Sequence, residues 1–313
     1  MIASMTNVVK RYGDTLALDH LNLQVPEGEI LGLLGPNGAG KTTAIKILAG
    51  LINADSGEIT VFDQKQTINN LQTRKNMGLV TQEITVFQEL SAMENLMYFG
   101  GLYGLKGAEL KANVKEVLDF VELSEHAKKR PKTFSGGMQR RLNIACALVH
   151  KPKFVIMDEP TVGIDPQSRN HILESVKKIA AGGTTVIYTS HYMEEVQAIC
   201  NRISIMDSGR VIKEGTLEEL VERVSHEEKI HLTAVSPSDA LTADLKDISG
   251  VKNVIVNGNS YVIVSTAGSG NVSRIMEIVG RYGGVTSFSE EKQNLEDVFL
   301  TLTGKRLRDD GEV

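Results

Sequence analysis

The stretch that most restricts the fold of this chain is GPNGAGKT, residues 35–42. It matches G-x-x-x-x-G-K-[ST] at every defined position and lies between a strand-like run, GEILGLLG, and a helix-like run, KTTAIKILAG. Glycines are needed where successive backbone N–H groups converge on phosphate oxygens, because Cβ atoms would occupy the same space. The sequence therefore predicts a strand, a phosphate-binding loop and a helix whose N-terminus faces the anion.

Within this loop, two side chains have predicted roles around a nucleoside triphosphate. Lys41 would bridge the β- and γ-phosphates, and the Thr42 hydroxyl would hold Mg²⁺. The predicted nucleotide-binding residues of the loop are Gly35, Pro36, Asn37, Gly38, Ala39, Gly40, Lys41, Thr42 and Thr43.

A second apolar run, KFVIMDEP at residues 153–160, ends in two acidic residues. Its strand is apolar on both faces, as expected of a strand covered by helices on each side. Asp158 would hold Mg²⁺, usually through water, and Glu159 would polarise an attacking water. Together with the phosphate loop, this run has the form of a Walker B element.

The pattern of elements divides the chain into two predicted domains. Strand-like and helix-like runs alternate over residues 1–222, which predicts an α/β fold with a mainly parallel sheet, a P-loop NTPase core. Residues from about 87 to 150 show helical patterns alone and predict an inserted helical subdomain. Residues 223–306 predict a small α+β, ferredoxin-like domain of order β-α-β-β-α-β. Residues 307–313 are expected to form a polar, disordered tail.

Composition restricts the setting in which such a chain acts. The formal net charge of −5 gives no electrostatic reason to expect nucleic acid as a partner. Two cysteines are too few for a disulfide framework, which favours a reducing compartment. The apolar runs are far shorter than the ~20 residues of a spanning helix. The sequence therefore predicts a soluble chain.

A second glycine-rich stretch, TFSGGMQRR at residues 133–141, points to a family. Its Ser-Gly-Gly resembles the signature motif of ATP-binding-cassette (ABC) proteins, and further residues follow in that family's order over about residues 1–220. The resemblance assigns ATP contacts to Tyr12 (adenine stacking), Ser135, Gly136 and Gly137 (signature) and Asp165 (D-loop), and it identifies Gln82 as the Q-loop glutamine and His191 as the switch histidine.

The resemblance also implies a mechanism that one chain cannot complete. In this family the signature residues bind the γ-phosphate held by a second cassette, and this chain carries one set of motifs. Two copies would therefore enclose two ATP molecules head to tail. The implied cofactors are ATP and Mg²⁺, with Glu159, His191 and Gln82 catalytic and Thr42, Gln82 and Asp158 at the metal.

Within the family, the sequence is most similar to ATPase subunits of bacterial and archaeal drug- or lipid-type exporters, since its extra C-terminal domain ends in NLEDVFLTLTGK. This implies a separately encoded transmembrane permease that docks in a groove around residues 83–103. It also implies a cytoplasmic location, peripheral on the inner face of the cell membrane. Three roles of the C-terminal domain stay open: it could pack on the same domain of a second copy, cover the back of the dimer and regulate it, or only add stability.

Two other interpretations are open at this point. A soluble ABC ATPase could act on the ribosome or DNA. However, ribosome-acting members usually carry two cassettes, and DNA-repair members insert a long coiled coil that is not evident between Lys41 and Ser135. A non-catalytic ATP-binding module would leave the presence of Glu159 and His191 unexplained.

Some residues near the motifs receive no chemical role from the sequence. Arg140 and Arg141 are expected on a solvated or interdomain face. Gly100, Gly101 and Gly104 are expected to be flexible breaks in a helix.

Overall fold

The computed structural model of the protein describes residues 1–224, 227–266, 268–291 and 295–304. Two compact units divide this part of the chain, Met1–Leu217 and Glu218–Gly304. The predicted tail at 307–313 lies outside the described residues. Among the residues that are described, we find no helix with the length and apolar content needed to cross a membrane.

The first unit combines two β-sheets with a group of helices. Its elements in chain order are β1 (Ala3–Tyr12), β2 (Thr15–Val25), β3 (Ile30–Leu34), α1 (Lys41–Leu48), β4 (Ser56–Val61), β5 (Gln64–Lys65), α2 (Leu71–Arg74), β6 (Met77–Val80), α3 (Ala92–Leu102), α4 (Gly107–Phe120), α5 (Gly136–Leu148), β7 (Phe154–Asp158), α6 (Pro166–Ala181), β8 (Thr185–Thr189), α7 (Met193–Ile199), β9 (Arg202–Asp207) and β10 (Arg210–Gly215).

The larger sheet has the order β10-β9-β3-β8-β7-β6. Its pairs are parallel except for β9 with β10, so the predicted mainly parallel sheet is confirmed. Strands β3, β7 and β8 are buried along their whole length, as expected of strands covered on both faces. Because parallel strands end at the same edge, the segments after β3, β6, β7 and β8 meet there. The motifs predicted to surround the phosphates follow these four strands.

A smaller antiparallel sheet, of order β2-β1-β4-β5, packs in one hydrophobic cluster with α1 and the larger sheet. Buried members of this cluster include Leu18 and Val25 of β2, Leu48 of α1 and Phe154 of β7. The helix that follows the phosphate loop is thus fixed by apolar burial on its inner side.

Helices α3, α4 and α5 form the predicted inserted helical subdomain, with a hydrophobic cluster of their own that contains Leu96, Val114 and Leu142. The expected breaks at Gly100 and Gly101 are wrong, because α3 continues through both residues. Gly100 is buried, and a Cβ there would lie 2.5 Å from Leu110 Cδ1, so its missing side chain permits close packing of α3 on α4.

The second unit begins within α8 and contains one sheet of order β12-β13-β11-β14, with every neighbouring pair antiparallel. Its elements are α8 (Leu217–Val224), β11 (Glu227–Ala234), α9 (Asp239–Lys246), β12 (Val251–Asn257), β13 (Ser260–Thr266), α10 (Asn271–Arg281), β14 (Val285–Glu291) and α11 (Leu295–Thr303). From β11 to β14 this is the β-α-β-β-α-β order, and α9 and α10 bury Leu245 and Ile275 in the core of the unit.

Candidate nucleotide site

The loop after β3 is tightly packed at two of its glycines and faces open space at a third. A Cβ on Gly40 would lie 2.6 Å from the carbonyl oxygen of Ala17, and one on Gly35 would lie 2.5 Å from that of Met206. Gly38 differs, because a Cβ there would meet nothing within 4 Å. Gly38 and Gly40 also adopt φ values of 82° and 100°, in the left-handed region that favours glycine. The outer glycines thus seat the loop on the fold, and Gly38 borders open space that a phosphate can fill.

Lys41, the first residue of α1, has a side chain directed back into this loop. Its Nζ donates to the carbonyl oxygens of Gly35 at 2.6 Å and Pro36 at 3.3 Å. Burial lowers the pKa of Lys41, while the charges of Glu159 and Asp158 raise it. Phosphate oxygens are stronger acceptors than peptide carbonyls for an ammonium group. The Lys41 ammonium is therefore placed to exchange loop carbonyls for phosphate.

Asp158, the last residue of β7, lies against the start of α1. Its Oδ2 accepts a hydrogen bond from the Thr42 hydroxyl at 3.2 Å, and its Oδ1 accepts one from Thr189 at 2.8 Å. A carboxylate beside a hydroxyl offers hard oxygen ligands, the kind that Mg²⁺ prefers. The structure thus brings together two of the three predicted metal residues. The third, Gln82, lies at the same sheet edge after β6, with its side chain exposed.

Glu159 and His191 approach each other beyond the ends of β7 and β8. Glu159 Oε2 lies 3.5 Å from His191 Nδ1. The hydrogen bond with His191 is the main influence that lowers the pKa of Glu159; burial opposes it, and the positive charge of Lys41 adds to the lowering. The carboxylate is therefore ionised at neutral pH. Glu159 also has a φ of 48°, a strained conformation of the type that clusters at functional sites.

The signature residues lie against the D-loop. Ser135 caps α5, and its Oγ accepts a hydrogen bond from the Met138 N–H at 3.2 Å. Asp165 caps α6 by accepting one from the Ser168 N–H at 2.9 Å. A Cβ on Gly137 would overlap Ser168 Oγ and lie 2.6 Å from Ser168 Cβ. The N-termini of α5 and α6 are therefore in direct contact, whereas the phosphate loop packs against Ala17 of β2 and Met206 of β9.

Tyr12, the predicted adenine contact, ends β1 with half of its side chain exposed. The Lys10 ammonium lies 5.6 Å from its ring centroid. A ring that is both anchored on a strand and exposed can accept a stacked base.

Of the two positions expected for Arg140, the solvated face is wrong, because the residue lies between α5 of the helical subdomain and the segment after β6. The residue is 2% exposed, and its guanidinium donates to the carbonyl oxygens of Thr81 at 2.7 Å and Gln82 at 2.5 Å. Helix α5 is thereby tied to the segment that carries Gln82. Helical spacing could have revealed this, because Arg140 follows Gly137 by three positions and precedes Ile144 by four, and both lie on the buried face of α5.

Taken together, a glycine-rich phosphate cradle, a strand-end carboxylate pair and a histidine at the carboxyl edge of a parallel sheet define a P-loop NTPase. Comparison with known proteins narrows this class. A family model described as ABC transporter matches residues 18–162.

Several relatives match almost the whole chain. The linearmycin resistance ATP-binding protein LnrL of Bacillus subtilis is 44% identical, over 97% of this chain and 98% of its own. Nod factor export ATP-binding protein I of Sinorhizobium fredii is 37% identical, over 97% and 87%. The chain therefore belongs to the ATP-binding subunits of the ABC transporter family.

Solved structures of such cassettes agree with this assignment. The dimeric post-hydrolysis state of the ATP-binding cassette MJ0796, bound to ADP and Pi, aligns with a TM-score of 0.62 at 28% identity, over 68% of this chain and 98% of that one. A structure described as the ATP-binding subunit of an ABC transporter aligns with a TM-score of 0.65 at 27% identity, over 71% and 93%. The predicted resemblance is confirmed, and the protein is an ABC-type ATPase that binds and hydrolyses ATP.

Proposed function

We propose that this chain is the ATP-hydrolysing subunit of an exporter, in which two copies close on two ATP molecules and drive a separately encoded permease. The division of the site carries this proposal. Gly137 packs against Ser168 beside the D-loop, whereas Lys41 donates to the phosphate loop and Thr42 donates to Asp158 of β7. A second chain, facing the first, would bring a signature to each phosphate loop, and α5 would direct its N-terminal dipole at the γ-phosphate.

In the proposed reaction, Thr42 and Asp158 would hold Mg²⁺ with help from Gln82. When bound, the ion neutralises charge on the β- and γ-phosphates. Lys41 would bind the same phosphates. The ionised Glu159 would accept a hydrogen bond from the attacking water, and His191 would keep Glu159 oriented.

A surface for the permease is supported by exposed aromatic side chains after the Q-loop. Phe87 is 45% exposed and Tyr98 is 47% exposed, and their rings pack edge to face with centroids 5.0 Å apart. Such a patch fits an amphipathic helix laid into a groove. Docking there would hold the chain at the inner face of the cell membrane. The names of two relatives, which refer to linearmycin resistance and Nod factor export, support export as the direction.

We further propose residues 1–222 as the nucleotide-binding domain and 223–306 as an accessory domain. The separate cores of the two units support this division. The exporter proposal concerns the first domain and does not depend on what the second one does.

The test of the proposal is dimer formation with ATP. Glu159→Gln should bind ATP without hydrolysing it, so the full chain with ATP and Mg²⁺ should elute as a dimer in size-exclusion chromatography. Adding Lys41→Ala should abolish that dimer because the phosphate ligand is lost. A Glu159→Gln chain that stays monomeric at saturating ATP would refute the proposal.

The contribution of the signature in trans has a matched control. Ser135→Ala in the Glu159→Gln background should weaken the dimer, whereas Ser238→Ala should not. Both serines cap a helix by accepting a backbone N–H, at 3.2 Å from Met138 and 3.1 Å from Leu241, so both changes cost about 1 kcal/mol of helix capping. Equal effects on the dimer would contradict a role for Ser135 across the interface.

A further inference from the structure

A buried carboxylate, for which the sequence predicts no role, lies next to the site. Glu195 of α7 is 3% exposed. Its Oε2 accepts hydrogen bonds from the hydroxyls of Thr161 at 2.8 Å, Tyr188 at 2.9 Å and Ser190 at 2.7 Å. Its Oε1 lies 3.4 Å from Arg169 Nε. Burial of a carboxylate costs several kcal/mol unless it is paired and hydrogen-bonded, so this group strongly restricts where its partners lie.

These partners lie on the segments that carry the motifs. Thr161 comes two residues after Glu159, Ser190 directly precedes His191, and Arg169 lies in the first turns of α6, the helix that Asp165 caps.

A second contact links Arg169 to the switch histidine. The Arg169 guanidinium lies over the Tyr192 ring, 4.4 Å from its centroid. The centroid of that ring is in turn 4.4 Å from that of His191. Arg169 therefore reaches the His191 segment both through the carboxylate of Glu195 and through an aromatic ring.

We propose that Glu195 is a positioning residue for ATP hydrolysis, which holds the segments of Glu159, His191 and Asp165 in one arrangement. This inference rests on the proposed roles of those three residues. Glu195 itself touches the segments and not the phosphate loop, so its loss should change the alignment of the reacting groups while ATP binding is retained.

Two substitutions remove the ion pair, one from each side, and leave the hydroxyl hydrogen bonds in place. In Glu195→Gln, the amide oxygen can still accept the three hydroxyl hydrogen bonds, but the neutral amide no longer pairs with Arg169. In Arg169→Met, the hydroxyl bonds stay and the cation is removed from the other side. If the pair acts as a unit, the double variant should lose little more activity than either single variant.

The experiment measures steady-state ATP hydrolysis by the full chain. Both single variants should reduce kcat by about tenfold or more with the KM for ATP changed less than about twofold, the pattern of a lost transition-state alignment. The control is Thr185→Val at the opposite end of β8, where a buried hydroxyl accepts the Gly28 N–H at 2.8 Å. This control should lower the melting temperature and leave kcat unchanged.

Unchanged kcat in Glu195→Gln would overturn the inference. So would a fall in kcat that Thr185→Val reproduces at equal loss of stability, because Glu195 would then support the fold alone. If Glu195→Gln does not fold, the partly exposed Arg169→Met decides the question by the same two criteria. Failure of the exporter proposal would appear separately, as an absent ATP-dependent dimer in Glu159→Gln.

Discussion

The contact between Gly137 and Ser168 offers a direct test of how closely the signature and the D-loop are packed. In Gly137→Ala, the new methyl would overlap Ser168 Oγ and lie 2.6 Å from Ser168 Cβ. The hydroxyl can rotate away, but the Cβ is fixed to the backbone of α6. The helices α5 and α6 must therefore separate by several tenths of an ångström.

The magnitude follows from two opposing effects. Overpacking a tight contact by one methyl costs about 1–3 kcal/mol. Replacing glycine by alanine in a helix returns up to about 1 kcal/mol. We therefore expect Gly137→Ala to lower the free energy of unfolding by about 1–2 kcal/mol. A double-mutant cycle isolates the clash, because Ser168→Gly removes both clashing atoms and should give a coupling energy of about 1–3 kcal/mol.

The assay is urea unfolding followed by circular dichroism, since the chain has no tryptophan. The transition of the first unit is the one that ATP shifts to higher urea, because a ligand stabilises the state that binds it. Ser168→Ala is the control: it removes the hydroxyl and keeps the Cβ, so it should not rescue Gly137→Ala. A coupling energy near zero with Ser168→Gly, or equal rescue by Ser168→Ala, would refute the packing argument.

Three further predictions concern individual side chains. Arg140→Met should lower the free energy of unfolding by about 2–4 kcal/mol in the same urea assay, because two partly buried carbonyls lose a charged donor, and Arg140→Lys should recover part of the lost stability. Burial lowers the pKa of His150 from 6.5 to about 4, so its neutral form contributes stability fully above pH 6.5 that is lost as the pH falls towards 4. Between pH 6.5 and 4, the free energy of unfolding of the wild type should therefore fall by up to about 3 kcal/mol more than that of His150→Gln, as measured by urea titrations at each pH. Tyr12→Ala should weaken binding of a fluorescent ATP analogue about tenfold with Tyr12→Phe near wild type, since base stacking contributes about 1–3 kcal/mol; equal affinities of the two variants would exclude stacking.

The sequence was sufficient for those parts of the site that reside in contiguous stretches. The phosphate loop and the strand that ends at Asp158 each carry their geometry within about eight residues, so the central sheet and the cluster at its edge were predictable. Arg140 and Glu195 receive no chemical role from the sequence, because Thr81, Gln82 and Thr161 lie far from them in the chain. Seen only beside its neighbours in sequence, a buried charge cannot be told from a solvated one. The packing role of Gly100 is hidden from the sequence for a similar reason: its missing side chain makes room for Leu110 of α4, and no local pattern shows that contact.

The bond between Arg140 and the Q-loop has a consequence for mutation. Both of its acceptors are main-chain oxygens, which every amino acid supplies. Substitutions in codons 81 and 82 therefore leave both acceptors in place, whereas the linkage depends on codon 140 encoding arginine. In a library randomised at the three positions, selection for the linkage should retain arginine at position 140 and leave positions 81 and 82 variable.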